Sequence, residues 1–148
     1  MIILADTNDS LEIVLTDVVT ANQLPFVASW VDVTTTTYVP GQTNGTSNST
    51  TAVTVVAAPG ASTQRQVKFF SIYNADTLSA EVTVRLNDNA TTRIITKTTL
   101  AIGDTLMYND GEGFKVIATL GGIRSTGAAA AGGAATGAVL NELLLIGA

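Results

Sequence analysis

QVKFFSIYN (residues 66–74) and AEVTVRLN (residues 80–87) decide how this chain folds. In the second, Val82, Val84 and Leu86 alternate with Glu81, Thr83 and Arg85. Alternation with a period of two puts each set on its own face of a strand, one apolar and one wet. In the first, strict alternation sets Val67, Phe69, Ser71 and Tyr73 against Lys68, Phe70, Ile72 and Asn74. Apolar groups then fall on both sides, the pattern of a central strand.

The segments around these two repeat the theme. Residues 11–16 (LEIVLT) are apolar and β-branched. In residues 26–33 (FVASWVDV), Phe26, Ala28, Trp30 and Asp32 oppose Val27, Ser29, Val31 and Val33. The single Trp30 reads as a core or interface residue. Residues 51–58 form a strand ended by Pro59-Gly60. In residues 92–100, Ile94, Thr96 and Thr98 oppose Arg93, Ile95, Lys97 and Thr99. Residues 105–108 and 113–119 flank Asp110-Gly111, a hairpin signal. Asn87-Asp88-Asn89 and Ile102-Gly103-Asp104 read as turns. The sum is about eight short strands with no helix before Leu120. The expected fold is all-β, an antiparallel β-sandwich of jelly-roll-like type with extended N-terminal and C-terminal arms.

The sandwich is expected over residues 1–119. Within it, residues 34–51 (TTTTYVPGQTNGTSNSTT) read as a long polar Thr/Asn-rich loop with turn signals at Pro40-Gly41 and Asn44-Gly45. Two roles suit it: a plain connection between strands, which is favoured, or a surface that touches a neighbour or a glycan. From residue 120 the composition turns Gly/Ala-rich and ends apolar. Val139, Leu140, Leu143, Leu144 and Ile146 share one face of a short helix if one forms. A membrane span is not expected there, since Asn141 and Glu142 interrupt it. Two readings are left, packing on the sandwich or an arm laid across a neighbour, and the second is favoured.

Composition narrows the chemistry. The 148 residues are 46% hydrophobic and only 13% charged, about half the roughly 25% usual for soluble domains. A surface of Thr, Ser, Asn and Ala is cheap to desolvate against a neighbour. Net charge is −5, and the seven basic residues form no run. Direct nucleic-acid binding, which needs clustered Lys and Arg against phosphate, is not expected. The N-terminus, MIILADTNDS, has neither a basic start nor a long apolar core, so synthesis in the cytoplasm is expected. The sequons at Asn8, Asn44, Asn48 and Asn89 are read as by-products of Asn- and Thr-rich loops.

Histidine and cysteine are both absent. That removes Ser-His-Asp and Cys-His nucleophiles, thiolate or imidazole zinc sites, and disulfides. GGAATGAVL lacks the Lys and the preceding strand of a phosphate loop. Asp6, Asp9, Asp76, Asp88, Asp104, Asp110 and Glu112 sit at expected turns, where Asp is common for backbone reasons. Paired carboxylates for glycoside hydrolysis, or a calcium loop at Asp6-Thr7-Asn8-Asp9 or Asp88-Asn89, are weaker readings than turn chemistry. No enzyme, cofactor, metal or small-molecule substrate is expected.

The block from Val55 to Ile117, with VVAAPGASTQRQVK, VRLNDN and TLAIGDTLMYNDGEGFKVI, resembles a module of small virion proteins of tailed bacteriophages. The WVDV and YVPGQTN stretches upstream share that look. The Gly/Ala-rich tail from Gly121 departs from it. These are strand and turn signatures. The resemblance implies capsid decoration (cement) or another head or tail structural role, on a β-sandwich or jelly roll. The expected partners are the major capsid protein on the capsid exterior and copies of the chain itself, as a dimer or trimer. The expected contacts are Met1, Ile2, Ile3 and Leu4 as an arm, Tyr38 in the polar loop, and Val139, Leu140, Leu143, Leu144 and Ile146. A tail, neck or fibre module that is structural or binds host glycan is the alternative, with Tyr38 and Tyr108 as sugar platforms.

Overall fold

The alternating segments pair into two antiparallel sheets in a computed structural model that describes residues 1–124. In chain order the strands are β1 (Ile2–Leu4), β2 (Asp9–Leu15), β3 (Pro25–Val33), β4 (Tyr38–Thr46), β5 (Val53–Val56), β6 (Gln64–Tyr73), β7 (Ala80–Asp88), β8 (Thr91–Leu100), β9 (Thr105–Asn109), β10 (Gly113–Ile117) and β11 (Ile123–Arg124). The smaller sheet runs β5-β2-β7-β8. The larger runs β11-β10-β9-β6-β3-β4, with β1 on β6 as its seventh strand. Apolar residues from both sheets, among them Ile13, Val84, Phe70 and Leu106, form one core. The chain is therefore a β-sandwich.

Three expectations change. The polar stretch 34–51 is mostly strand: β4 pairs with all of β3, from Val33↔Tyr38 to Pro25↔Thr46. Its glycines are there because large side chains of β3 cover them. A Cβ on Gly41 would lie 2.8 Å from the Trp30 ring, and one on Gly45 3.0 Å from Phe26. Second, Met1 to Leu4 is no extended arm. Ile2–Leu4 pairs with Arg65–Val67 of β6, Leu4 is fully buried, and Ile2 N–H donates to the Tyr108 hydroxyl at 2.9 Å. β9 covers the other half of that β6 edge, Phe69 to Tyr73, so β1 completes a ladder that β9 leaves unfinished. Third, β11 extends the larger sheet past residue 119, the expected end of the sandwich.

Two bulges re-aim side chains that strict alternation misplaces. Opposite Ser29 and Trp30 lie Phe69 and Val67, so Lys68 is the extra residue of β6. The slip puts Val67 on the same face as Phe70 and Ile72, in the core, and leaves Phe69, Ser71 and Tyr73 outside. On β8, Thr96 pairs with Val84 and Ile94 with Arg85, so Ile95 is extra. Thr96 and Thr98 face inward and Ile94 outward, on opposite faces. The β7–β8 hairpin turns on Asn89 and Ala90, both with positive φ (48° and 69°), as a tight two-residue turn requires.

Candidate functional site

Cavities come first. A groove of about 300 Å³ opens between the sheets where Thr96 and Thr98 face Leu106, Phe114 and Arg124. Arg124 spends its charge on the fully buried Asp104, at 2.9 Å. A second groove, about 270 Å³, lies beside Leu15, Thr20, Asp76 and Leu78. Among the described residues no three His, Cys, Asp or Glu side chains gather where a metal could sit. No helix there is long and apolar enough to cross a membrane.

Of the acids lining the second groove, Asp17, Asp76 and Glu81, Glu81 binds the Thr16 hydroxyl and Lys97, whereas Asp76 serves the backbone. Asp76 accepts N–H bonds from Thr20 (2.7 Å), Ala21 (2.7 Å) and Asn22 (3.1 Å). These bonds, Thr20's foremost, hold its carboxyl down at about 2 against the opposing effect of burial. Buried Asn74 donates its side-chain amide to the carbonyls of Leu78, Leu100 and Ala101, and its Oδ1 accepts from Asp76 N–H. Asp104 accepts from Ala101 N–H. One end of the sandwich is thus tied by Asn74, Asp76 and Asp104, where three crossing loops meet. Asp6 and Asp9 likewise accept local backbone N–H groups. Carboxylates satisfied in this way have little capacity left for proton transfer or cation ligation.

At the opposite end, Arg65 forks onto Asp32 with bonds of 2.7 and 2.8 Å, and reaches Ala57 O at 2.9 Å. Its guanidinium lies 4.9 Å from the Trp30 ring centre. The hydrogen bond from Arg65 holds the Asp32 carboxyl below its ordinary value. Trp30 is therefore one wall of an internal clamp.

The outer faces of the two sheets differ in kind. On the smaller sheet, Glu12 pairs with Arg85 at 3.0 Å, Glu81 with Lys97 at 3.0 Å, and Asn87 donates to Glu12 at 2.7 Å. This is a charged, laced face, with Ile94 and its neighbour Ile95 as exposed apolar groups on β8. On the larger sheet, the register puts Val27, Val31, Phe69, Tyr73, Met107 and Ile117 outside, joined by Ile3, Tyr38 and Ile123. Tyr38 is 67% exposed, Ile123 70%, and Val27 and Tyr73 45% each. Val31 is 2% exposed and lies outside the central core cluster. The cations near this face are neutralised: Lys68 by Asp110 at 2.9 Å and Lys115 by Glu112 at 2.6 Å. Asp110 raises the Lys68 ammonium above its ordinary value, and Lys115 lowers the Glu112 carboxyl. The face is wide and partly aromatic, with Ser29, Gln66, Ser71 and Asn109 set among its apolar groups and its cations held in ion pairs.

Of the expected contacts, Ile3 and Tyr38 lie on this face; Leu4 is buried and Ile2 faces the core. Tyr108, offered as a sugar platform, is 3% exposed and packs against Phe114 with ring centres 5.0 Å apart, which removes it as one. Burial pushes its phenol above the ordinary value. Val139, Leu140, Leu143, Leu144 and Ile146 lie outside the described residues. Sequence reasoning missed Val27, Phe69, Tyr73 and Met107 as one surface; the outward alternation of β3 was the signal available. Among protein-family models, curated proteins and solved structures, the chain matches none.

Proposed function

We propose that this chain is a non-enzymatic structural protein of a virion, one that decorates and cements the outside of a tailed-phage capsid by bridging major capsid protein subunits. The observation that carries the reading is the contrast between the two sheet faces. A laced, charged face suits water, whereas one that sets Val, Tyr, Phe and Met among Ser, Thr, Asn and Gln, with its few charges paired, suits a protein neighbour. The low charge and the resemblance of residues 55–117 to small virion proteins point the same way. A binder that prefers the mature shell to its precursor stabilises that shell by mass action.

The jelly-roll-like winding is part of the proposal. β3–β6 in one sheet and β2–β7 in the other are nested pairs whose strands cross between sheets together, which favours it. The hairpins β3–β4 and β7–β8 within single sheets depart from it. The alternative, a tail, neck or fibre module, draws on one residue: Tyr38 stands exposed on edge strand β4 as a platform for a sugar.

Cryo-electron microscopy of mature particles with and without this protein tests the proposal. Regular density over the head lattice that vanishes in the deletion is expected. Density lost only at the tail or neck would refute decoration, and glycan binding that disappears in Tyr38→Ala would favour the alternative.

A further inference from the structure

We propose that the outer face of the larger sheet is the contact between two copies of this chain, packed back to back about a two-fold axis. The proposal deepens the reading above: it takes the protein neighbour of this face to be a second copy of the chain, so that the decorating unit is a dimer, and it is tested on the mass of the free chain.

Charge selects the occupant. The chain carries −5 overall, so two copies repel through most of their surfaces. On this face Lys68 and Lys115 hold Asp110 and Glu112, so little unpaired charge is left to repel a second copy. A strongly basic or acidic partner finds no complement there. A second copy presents the same mix of apolar and uncharged polar groups with its ions already paired, so an isologous contact leaves no charge without a partner.

Area permits it. The 43 strand residues of this sheet, at ~3.3 Å along and ~4.8 Å across the strands, make a face of roughly 700 Å². That is close to the ~800 Å² per partner of a standard interface. Two such sheets stack about 10 Å apart with strands about 30° from parallel. Tyr38, Tyr73, Phe69 and Met107 supply the residue types that interfaces enrich. The rival surface, the free edge of β8, carries Arg93 and Lys97, charges of the kind that guard edges against pairing.

Sedimentation velocity of the full chain over a wide concentration range tests this. The unaltered chain should be a dimer. Val27→Glu places two carboxylates in the contact, one per copy, and should weaken association about 100-fold, tenfold per site. Circular dichroism should show its fold retained; if it does not fold, Tyr73→Glu serves in its place. Ile94→Glu, on the laced face, should leave the dimer intact. A chain that is monomeric at every concentration overturns the proposal, as does an oligomer that ignores both Val27→Glu and Tyr73→Glu or one that Ile94→Glu dissociates. A monomeric chain whose attachment to particles is lost in Val27→Glu would give the face to the shell and also overturn it. Failure of the capsid reading shows instead as missing lattice density, whatever the mass of the free chain.

Discussion

Replacing Gly41 by alanine probes the fit between β4 and β3 with one methyl group. A Cβ at position 41 would lie 2.8 Å from Cε2 of Trp30 and 2.9 Å from both Cζ2 and Nε1, well inside ordinary van der Waals contact. Either the indole moves or β4 lifts. The indole is held by the Arg65 guanidinium, itself fixed by Asp32 and the Ala57 carbonyl. Lifting β4 strains a nine-residue ladder. Overpacking of this kind costs about 1–3 kcal/mol. Replacing glycine in a strand returns roughly 0.5–1 kcal/mol of backbone entropy. The net loss should be about 1–2 kcal/mol, or roughly 3–8 °C in melting midpoint for a chain of this size. Thermal unfolding followed by the fluorescence of Trp30, the only tryptophan, reads stability and ring environment together. Trp30→Phe, which shortens the ring, should recover part of the Gly41→Ala loss in a double-mutant cycle. A Gly41→Ala chain at least as stable as the parent, with unchanged emission, would refute the reasoning.

Three further outcomes are expected. The Asp76 carboxyl titrates lower in the folded chain (about 2) than its ordinary 3.8, so its stabilisation is complete above about pH 4 and fades as pH falls toward 2; urea unfolding across that window should show a shallower acid loss in Asp76→Asn than in the parent, and equal slopes would count against the loop clamp. Asn74→Ala leaves three carbonyls short of a donor at a buried site and should cost at least ~3 kcal/mol by chemical denaturation; a loss under ~1 kcal/mol would mean water replaces the amide. Ala90 holds a φ of 69°, so Ala90→Gly should raise stability by about 0.5–1 kcal/mol in the same assay, and a decrease would contradict the strained-turn account.

Much of the sandwich was legible in the sequence because burying one face of a strand forces period-two alternation. β7 sends Val82 and Val84 into the core with Leu86 packed against it, and β3 splits into the two faces that Phe26 and Val27 announce. The missed strands have local reasons. β4 reads as a loop because Pro40, Gly41, Asn44 and Gly45 are turn formers, and only the Trp30 and Phe26 rings across the ladder make its glycines strand residues. β1 is three residues long, too short for a period to show.

What the chain determined by itself is a β protein with its core on alternating apolar residues and, lacking histidine and cysteine, none of the chemistry those side chains carry. What only the tertiary structure decided is which outward residues become neighbours. A bulge at Lys68 parts Val67 from Phe69 onto opposite faces, and the strand order sets Tyr73 beside Val27's strand on one side and Met107's on the other. Alternation is a property of one strand and is written in local sequence. A surface is a property of several strands in register, and register is settled by pairings between residues dozens of positions apart.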